Sequence, residues 1–342
     1  MTERRYPLKQ TPVRESVAAA VDELDHIEID TSQIRSVAEE WADEKFELPS
    51  WRAPVFPDES AAGTSVEDVI DFLFVGNSIN FAFRNFETGE KFVAEYDGIE
   101  WAGAFGMWAC LKRAYDNDVP ILDGGYLSQL SRPEVEDLFD PADGRQIPML
   151  DYRLRILNAV GDRLVTDYDG HFHWFLTEAG NQLFDDGNGI VERLVREFPS
   201  FDDTHYIETE TGSQSVHFYK RAQLAPGMTY GRFEGRDGVT VVDPEAFTVF
   251  ADYNLPNILR HTDILVYDDY LSQLVDSETL LEASSREEVE IRIATVAAAD
   301  QLMQELNDRR ETPVYGPHMD YKLFSVRDQV DTPVHKTKTT DY

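Results

Sequence analysis

Two cations stand side by side in Phe218-Tyr219-Lys220-Arg221-Ala222-Gln223, between aromatics, in a chain whose formal charge is −34. Lys meets an anion as a point charge and Arg as a planar fork, so the pair suits an anionic substrate such as a phosphate. An ion pair with one of the chain's many carboxylates is the alternative reading. In Phe247-Thr248-Val249-Phe250-Ala251-Asp252-Tyr253-Asn254-Leu255-Pro256, an acid follows an apolar run and precedes a Pro suited to the first turn of a helix. A carboxylate there is favoured in its ionised form and can face a developing positive charge, or it can simply cap the helix. His171-Phe172-His173 offers two imidazoles that an extended segment would aim at one metal ion. No HExxH motif or Cys/His cluster accompanies them, so no metal ligand is assigned. Gly124-Gly125 lacks the spacing of a dinucleotide loop, and neither GxxxxGK[ST] nor GxSxG occurs. Cys110, between Trp108 and Leu111 in an apolar stretch, reads as a packed thiol.

The elements that must carry these residues are mostly helical. Residues 1–60 read as an N-terminal helical cap, with helix-like stretches at Val13–Leu24 and Ile34–Lys45 and a connection through Pro49, Trp51, Pro54 and Pro57. Residues 61–342 read as one continuous domain. It opens with the dense apolar segment Val69–Val75, which must be buried. Phe92–Tyr96 alternates as a strand, with turn residues Asn85–Lys91 before it, so a small β-hairpin is expected there. Helices follow at Ala102–Tyr115, Leu150–Val160, Ile190–Phe198 and Tyr267–Val275. Ser284-Ser285-Arg286-Glu287 predicts a capping box at the head of a long helix to Asn307, with Val289, Ile293, Val296 and Leu302 on it.

Composition narrows the function classes. A balance of 31 Lys+Arg against 65 Asp+Glu argues against a sequence-independent grip on duplex nucleic acid or an anionic membrane, which relies on clustered cations. Only 8 of those cations are Lys, and the acids are spread along the whole length, a pattern that suits a salt-rich cytosol and a halophilic source. No apolar run is long enough to cross a bilayer, and Met1–Gln10 lacks a signal-peptide core, so a cytoplasmic location is expected. One cysteine excludes an internal disulfide. The 20 Phe, 15 Tyr and 5 Trp are ample for a large core.

Taken in order, several segments resemble the queuosine salvage protein family, the queuosine 5'-phosphate N-glycosylases. These are Asn80-Phe81 within Asn77–Phe83, Arg153 with Arg155–Asn158, Phe198-Pro199-Ser200, Phe218–Gln223, Phe250–Tyr253 with Leu255-Pro256, Glu288–Arg292, Asp320-Tyr321, and the terminal His335 and Tyr342. The resemblance implies a mainly α fold, a single helical domain similar to the helix-hairpin-helix DNA glycosylases, acting on a small-molecule nucleotide rather than on duplex DNA. It implies hydrolysis of the N-glycosidic bond of queuosine 5'-phosphate, releasing queuine and ribose 5-phosphate without a cofactor. By position, Asp252 would be the leading catalytic carboxylate and Asp320 a second acid. Lys220 and His335 would serve the phosphate end, and Asn80, Phe81, Tyr219 and Tyr253 would contact substrate. A hydrolase of another 7-deazaguanine nucleotide, such as one derived from archaeosine, and a non-catalytic binding protein for such nucleotides are the alternatives.

Overall fold

The computed structural model describes residues 6–209, 212–236, 239 and 241–342. Among them are fourteen α-helices and four two-stranded pairs, so the expected mainly α class holds, with more strand than one hairpin. The chain forms two compact units, each built from separated stretches: residues 1–49, 203–223 and 242–338 make the first, and 50–202, 224–241 and 339–342 the second.

The first unit is organised around the helix Arg286–Asn307. Val289, Ile291, Ile293, Ala294, Val296, Ala298, Ala299, Leu302, Met303 and Leu306 are all buried, and so are the polar Glu288, Glu290, Arg292 and Thr295, so the helix is enclosed on nearly every side. A helix of that kind must be covered all round, and four others pack on it: Pro12–Ala20, Thr31–Trp41, Leu255–His261 and Gly316–Val326. Its N-cap is Ser285, which accepts from Glu288 N–H at 3.4 Å. Ser284, where the capping box was expected to begin, lies one residue outside with φ 64° and bonds His205 Nδ1 at 2.9 Å. Three strand pairs close this unit. Ile27–Ile29 runs antiparallel to Leu265–Tyr267, Thr204–Thr209 antiparallel to Gly212–His217, and Leu280–Leu281 parallel to Lys336–Thr337.

The second unit is centred on the helix Val66–Ser78, enclosed from Val69 to Ser78 as the apolar run demands. Ser65 and Asp68 form a reciprocal cap at its start. Gly76 lets the Trp108 ring approach so closely that a β-carbon would lie 1.9 Å from it. Cys110 is fully buried and burial pushes its thiol up to about 12, which makes it the packed thiol expected. The strand Val93–Tyr96 pairs with Ile99–Ala102 ahead of it, and the turn expected before it closes on a single antiparallel bridge, Arg84 with Lys91, next to which the Phe92 N–H donates to the Phe83 carbonyl at 2.8 Å. Asp97 and Gly98, both at positive φ, make the two-residue turn. No helix of the described residues is long and apolar enough to cross a membrane.

Candidate functional site

In the first unit four separated segments meet around one buried guanidinium. Arg292, on the long helix, has no exposed side chain and grips Asp203 through both arms, Nη1 to Oδ1 at 2.7 Å and Nη2 to Oδ2 at 2.6 Å. Its Nε donates to the carbonyl of Ala251 at 3.2 Å, its plane covers the Phe218 ring at 4.0 Å, and Glu288 stands 3.7 Å away. A fork bonded in two directions and stacked on a ring fixes orientation as well as charge. Asp203 also takes His205 Nε2 at 3.1 Å and the backbone N–H of Lys220 at 3.0 Å. Although burial opposes it, the Arg292 and His205 contacts hold the Asp203 carboxyl well below the usual carboxylate range.

This scaffold sets the next layer. The helix Lys220–Arg232 begins on Asp203, and Tyr219 just before it is held at φ 51°, an uncommon value for a bulky residue. Tyr219 stacks on His217 and its hydroxyl bonds His217 Nδ1 at 3.1 Å. Gln223 ties the same segment to Thr248, accepting its N–H at 3.0 Å and donating to its hydroxyl at 2.9 Å. Beyond Thr248 the chain turns through Phe250, whose N–H donates to Asp320 Oδ2 at 2.8 Å. Two residues on, Asp252 Oδ1 accepts from the N–H groups of Asn254 at 2.7 Å and Leu255 at 3.4 Å, a side-chain turn leading into the helix Leu255–His261. Pro256 stands in its first turn, as expected. Asp320 rides on the helix Gly316–Val326, which can approach because its first residue lacks a side chain: a β-carbon on Gly316 would lie 2.3 Å from the Thr248 carbonyl oxygen.

Lys220, Asp252 and Asp320 therefore act on one another. Lys220 is buried, and among the described residues its ammonium makes no hydrogen bond, while its backbone N–H donates to Asp203. Burial lowers its ammonium below the ordinary lysine range, the nearby charges of Arg221 and Arg292 act in the same direction, and Asp252 and Asp320 pull it back. Lost hydration, reinforced by the charge on Asp252, pushes the half-buried Asp320 up to about 8, against the Phe250 N–H and Lys220. At neutral pH Asp320 thus keeps its proton while bonded to backbone through one oxygen. A carboxyl that keeps its proton at neutral pH beside a second carboxyl and an ammonium is an arrangement suited to acid–base work.

The other residues singled out in the sequence fall as follows. His335 is buried, and burial with the charge of Arg292 lowers its imidazole to about 3, so it can serve a substrate only as a neutral group. Tyr253 is half-buried beside Asp252. Asn80 and Phe81 belong to the second unit, where Asn80 donates to Asn77 Oδ1 at 2.9 Å and Phe81 is enclosed beneath Arg153 at 4.4 Å. Ala82, next in the chain, is held at φ 48° between Arg153 and the terminal residue, its N–H donating to the Tyr342 carbonyl at 3.1 Å. Asp203 and His205 were not singled out; their role depends on a partner in a distant helix, and no local pattern marks them.

The chain matches the family model described as "Queuosine salvage protein" over residues 60–342. Relatives bearing the name queuosine 5'-phosphate N-glycosylase/hydrolase include a protein from Sphaerobacter thermophilus, 31% identical with 94% of this chain and 95% of the relative covered. One from Mus musculus is 28% identical with 96% and 98% covered, and one from Schizosaccharomyces pombe 27% identical with 70% and 69% covered.

Proposed function

The chain belongs to the queuosine salvage protein family, and on that premise we propose that it hydrolyses the N-glycosidic bond of queuosine 5'-phosphate, releasing queuine and ribose 5-phosphate. The observation that carries this reading is the pair Asp252 and Asp320, of which Asp320 holds its proton near pH 7, with the Lys220 ammonium beside both. The bond from C1' of the ribose to the ring nitrogen breaks, its electrons leave with the base, and water supplies the new oxygen on C1'. A 7-deazaguanine lacks the ring nitrogen at which a purine leaving group is commonly protonated, so stabilising the cationic sugar carries more of the barrier. Asp252 has the charge for that and can take a proton from the attacking water. Asp320 has a proton to give toward the departing base. Lys220 offsets the negative charge of the pair, while phosphate contact, with His335 as a neutral donor, positions the sugar.

The mainly α architecture is consistent with kinship to the helix-hairpin-helix glycosylases, with the action transferred to a free nucleotide. The acidic, lysine-poor composition supports a halophilic cytoplasmic setting and argues against duplex nucleic acid as a partner. Incubation with queuosine 5'-phosphate, queuosine and archaeosine 5'-phosphate, followed by mass spectrometry, tests the proposal. Free queuine from the first substrate in preference to the other two is expected. A nucleotide that binds but is never cleaved would make the protein a binder instead.

A further inference from the structure

The His171-Phe172-His173 motif takes no part in the chemistry above, yet its two imidazoles converge in the second unit. His171 precedes the helix Phe172–Ala179 with φ −137° and ψ 142°, and His173 lies in its first turn, so the segment is not extended. Both Nδ1 atoms nevertheless aim at one oxygen, Asp71 Oδ2, at 3.1 Å from His171 and 2.9 Å from His173. The rings lie nearly parallel with centroids 5.2 Å apart. Asp71 comes from the helix Val66–Ser78 and its side chain is only 3% exposed, whereas His171 and His173 keep 32% and 19%.

We propose that Asp71, His171 and His173 form a divalent transition-metal site, suited to Zn²⁺, that clamps the helix Phe172–Ala179 to the helix Val66–Ser78. Two imidazoles and a carboxylate are ligands for ions of borderline softness. Around Zn²⁺, with bonds of about 2.0–2.1 Å, neighbouring ligand atoms of a tetrahedron stand roughly 3.3 Å apart. The observed separations of 3.1 and 2.9 Å need to open by only a few tenths of an ångström. Each ring would bind as the neutral tautomer, moving its Nδ1 proton to Nε2. The carboxylate is already oriented, since Asp71 Oδ1 accepts the backbone N–H of His173 at 2.6 Å, and the backbone of Leu122 supports the His171 ring. Both rings keep part of their surface exposed, so an ion held there could be reached from solvent.

The test uses the full chain after treatment with a chelator. Co²⁺ serves as the spectroscopic probe and Zn²⁺ is titrated by calorimetry. One equivalent of Co²⁺ should give the visible absorption of a tetrahedral nitrogen–oxygen site, and Zn²⁺ should displace it. His173→Ala keeps the backbone N–H that holds Asp71, so the fold should survive while affinity drops by at least ~10-fold. Asp71→Asn should do the same, and His261→Ala, at an exposed histidine elsewhere, should change nothing. Absence of the cobalt band, or equal affinity in wild type and His173→Ala, would overturn the proposal. A comparable loss in His261→Ala would also overturn it, because the binding would then be spread over surface histidines.

Discussion

Replacing Asp252 by Asn separates the two roles that its position allows. The amide keeps an oxygen to accept the N–H groups of Asn254 and Leu255, so the turn into the helix Leu255–His261 survives. The other amide position would face the Asn254 side chain, which now donates to Oδ2 at 3.1 Å, and rotation of the Asn254 amide restores an acceptor there. A neutral hydrogen bond contributes about 1 kcal/mol, so folding stability should change by no more than that, a melting shift of a few degrees at most. Losing a preorganised charge opposite the cationic sugar costs roughly 2.7–4 kcal/mol, or about 100- to 1,000-fold in rate. The charge on Asp252 also helps to raise Asp320, so the alkaline limb of the variant's residual activity should move to lower pH. Single-turnover release of queuine from queuosine 5'-phosphate measures the rate, and calorimetry with the nucleotide measures binding. Turnover within a few-fold of wild type would leave Asp252 a cap and nothing more. A rate loss matched by an equal loss of binding would refute transition-state stabilisation as its cause.

Three further outcomes follow from the same geometry. Asp320 binds its proton more tightly folded than unfolded, so folding stability should fall as pH rises from 3.8 to about 8; melting curves across that range should flatten in Asp320→Asn, and an unchanged slope would contradict the assignment. Lys220→Met removes the cation that both carboxyls face, so kcat should drop by at least ~10-fold on queuosine 5'-phosphate and on queuosine alike; a loss confined to the phosphorylated substrate, and seen in KM alone, would make Lys220 a phosphate ligand only. With a net charge of −34, screening should raise the melting temperature as KCl is brought toward molar concentration, and a steady fall would remove the halophilic reading.

What could be read from the sequence was what local chemistry dictates. The apolar run at Val69–Val75 and the periodic stretch before Asn307 became the buried helices at the centres of the two units. Asp252 ahead of Leu255-Pro256 was legible because turn and helix-start chemistry spans three residues. Errors arose at strands and boundaries. Asp97-Gly98 is the stronger hairpin signal and pairs the strand forward over four residues, while the turn-rich stretch before Phe92 closes only the single bridge Arg84 with Lys91. The pair Thr204–Thr209 and Gly212–His217 has polar residues at many positions, so its alternation is faint. Asp203 and Asp71 were invisible for another reason: each acquires meaning from side chains 89 and 100 residues away, Arg292 and His171.

That long-range dependence explains how an acidic chain keeps two cations, Lys220 and Arg292, buried in one place. An unpaired buried cation is strongly destabilising, and removing one partner of a buried pair costs about 3–5 kcal/mol. Arg292 is satisfied by Asp203, with Glu288 and the Ala251 carbonyl close by. The Lys220 ammonium has Asp252 and Asp320 instead, without a contact as close as those. Were both of these carboxyls ionised, their mutual repulsion would have one ammonium to offset it, and the proton retained by Asp320 relieves that excess. Arg292 is held by close contacts through Nε and both Nη atoms, whereas the trio beside it is held by charge without contacts as close. A sugar that develops positive charge as its bond breaks would meet the Asp252 carboxylate there, an interaction strongest at the transition state.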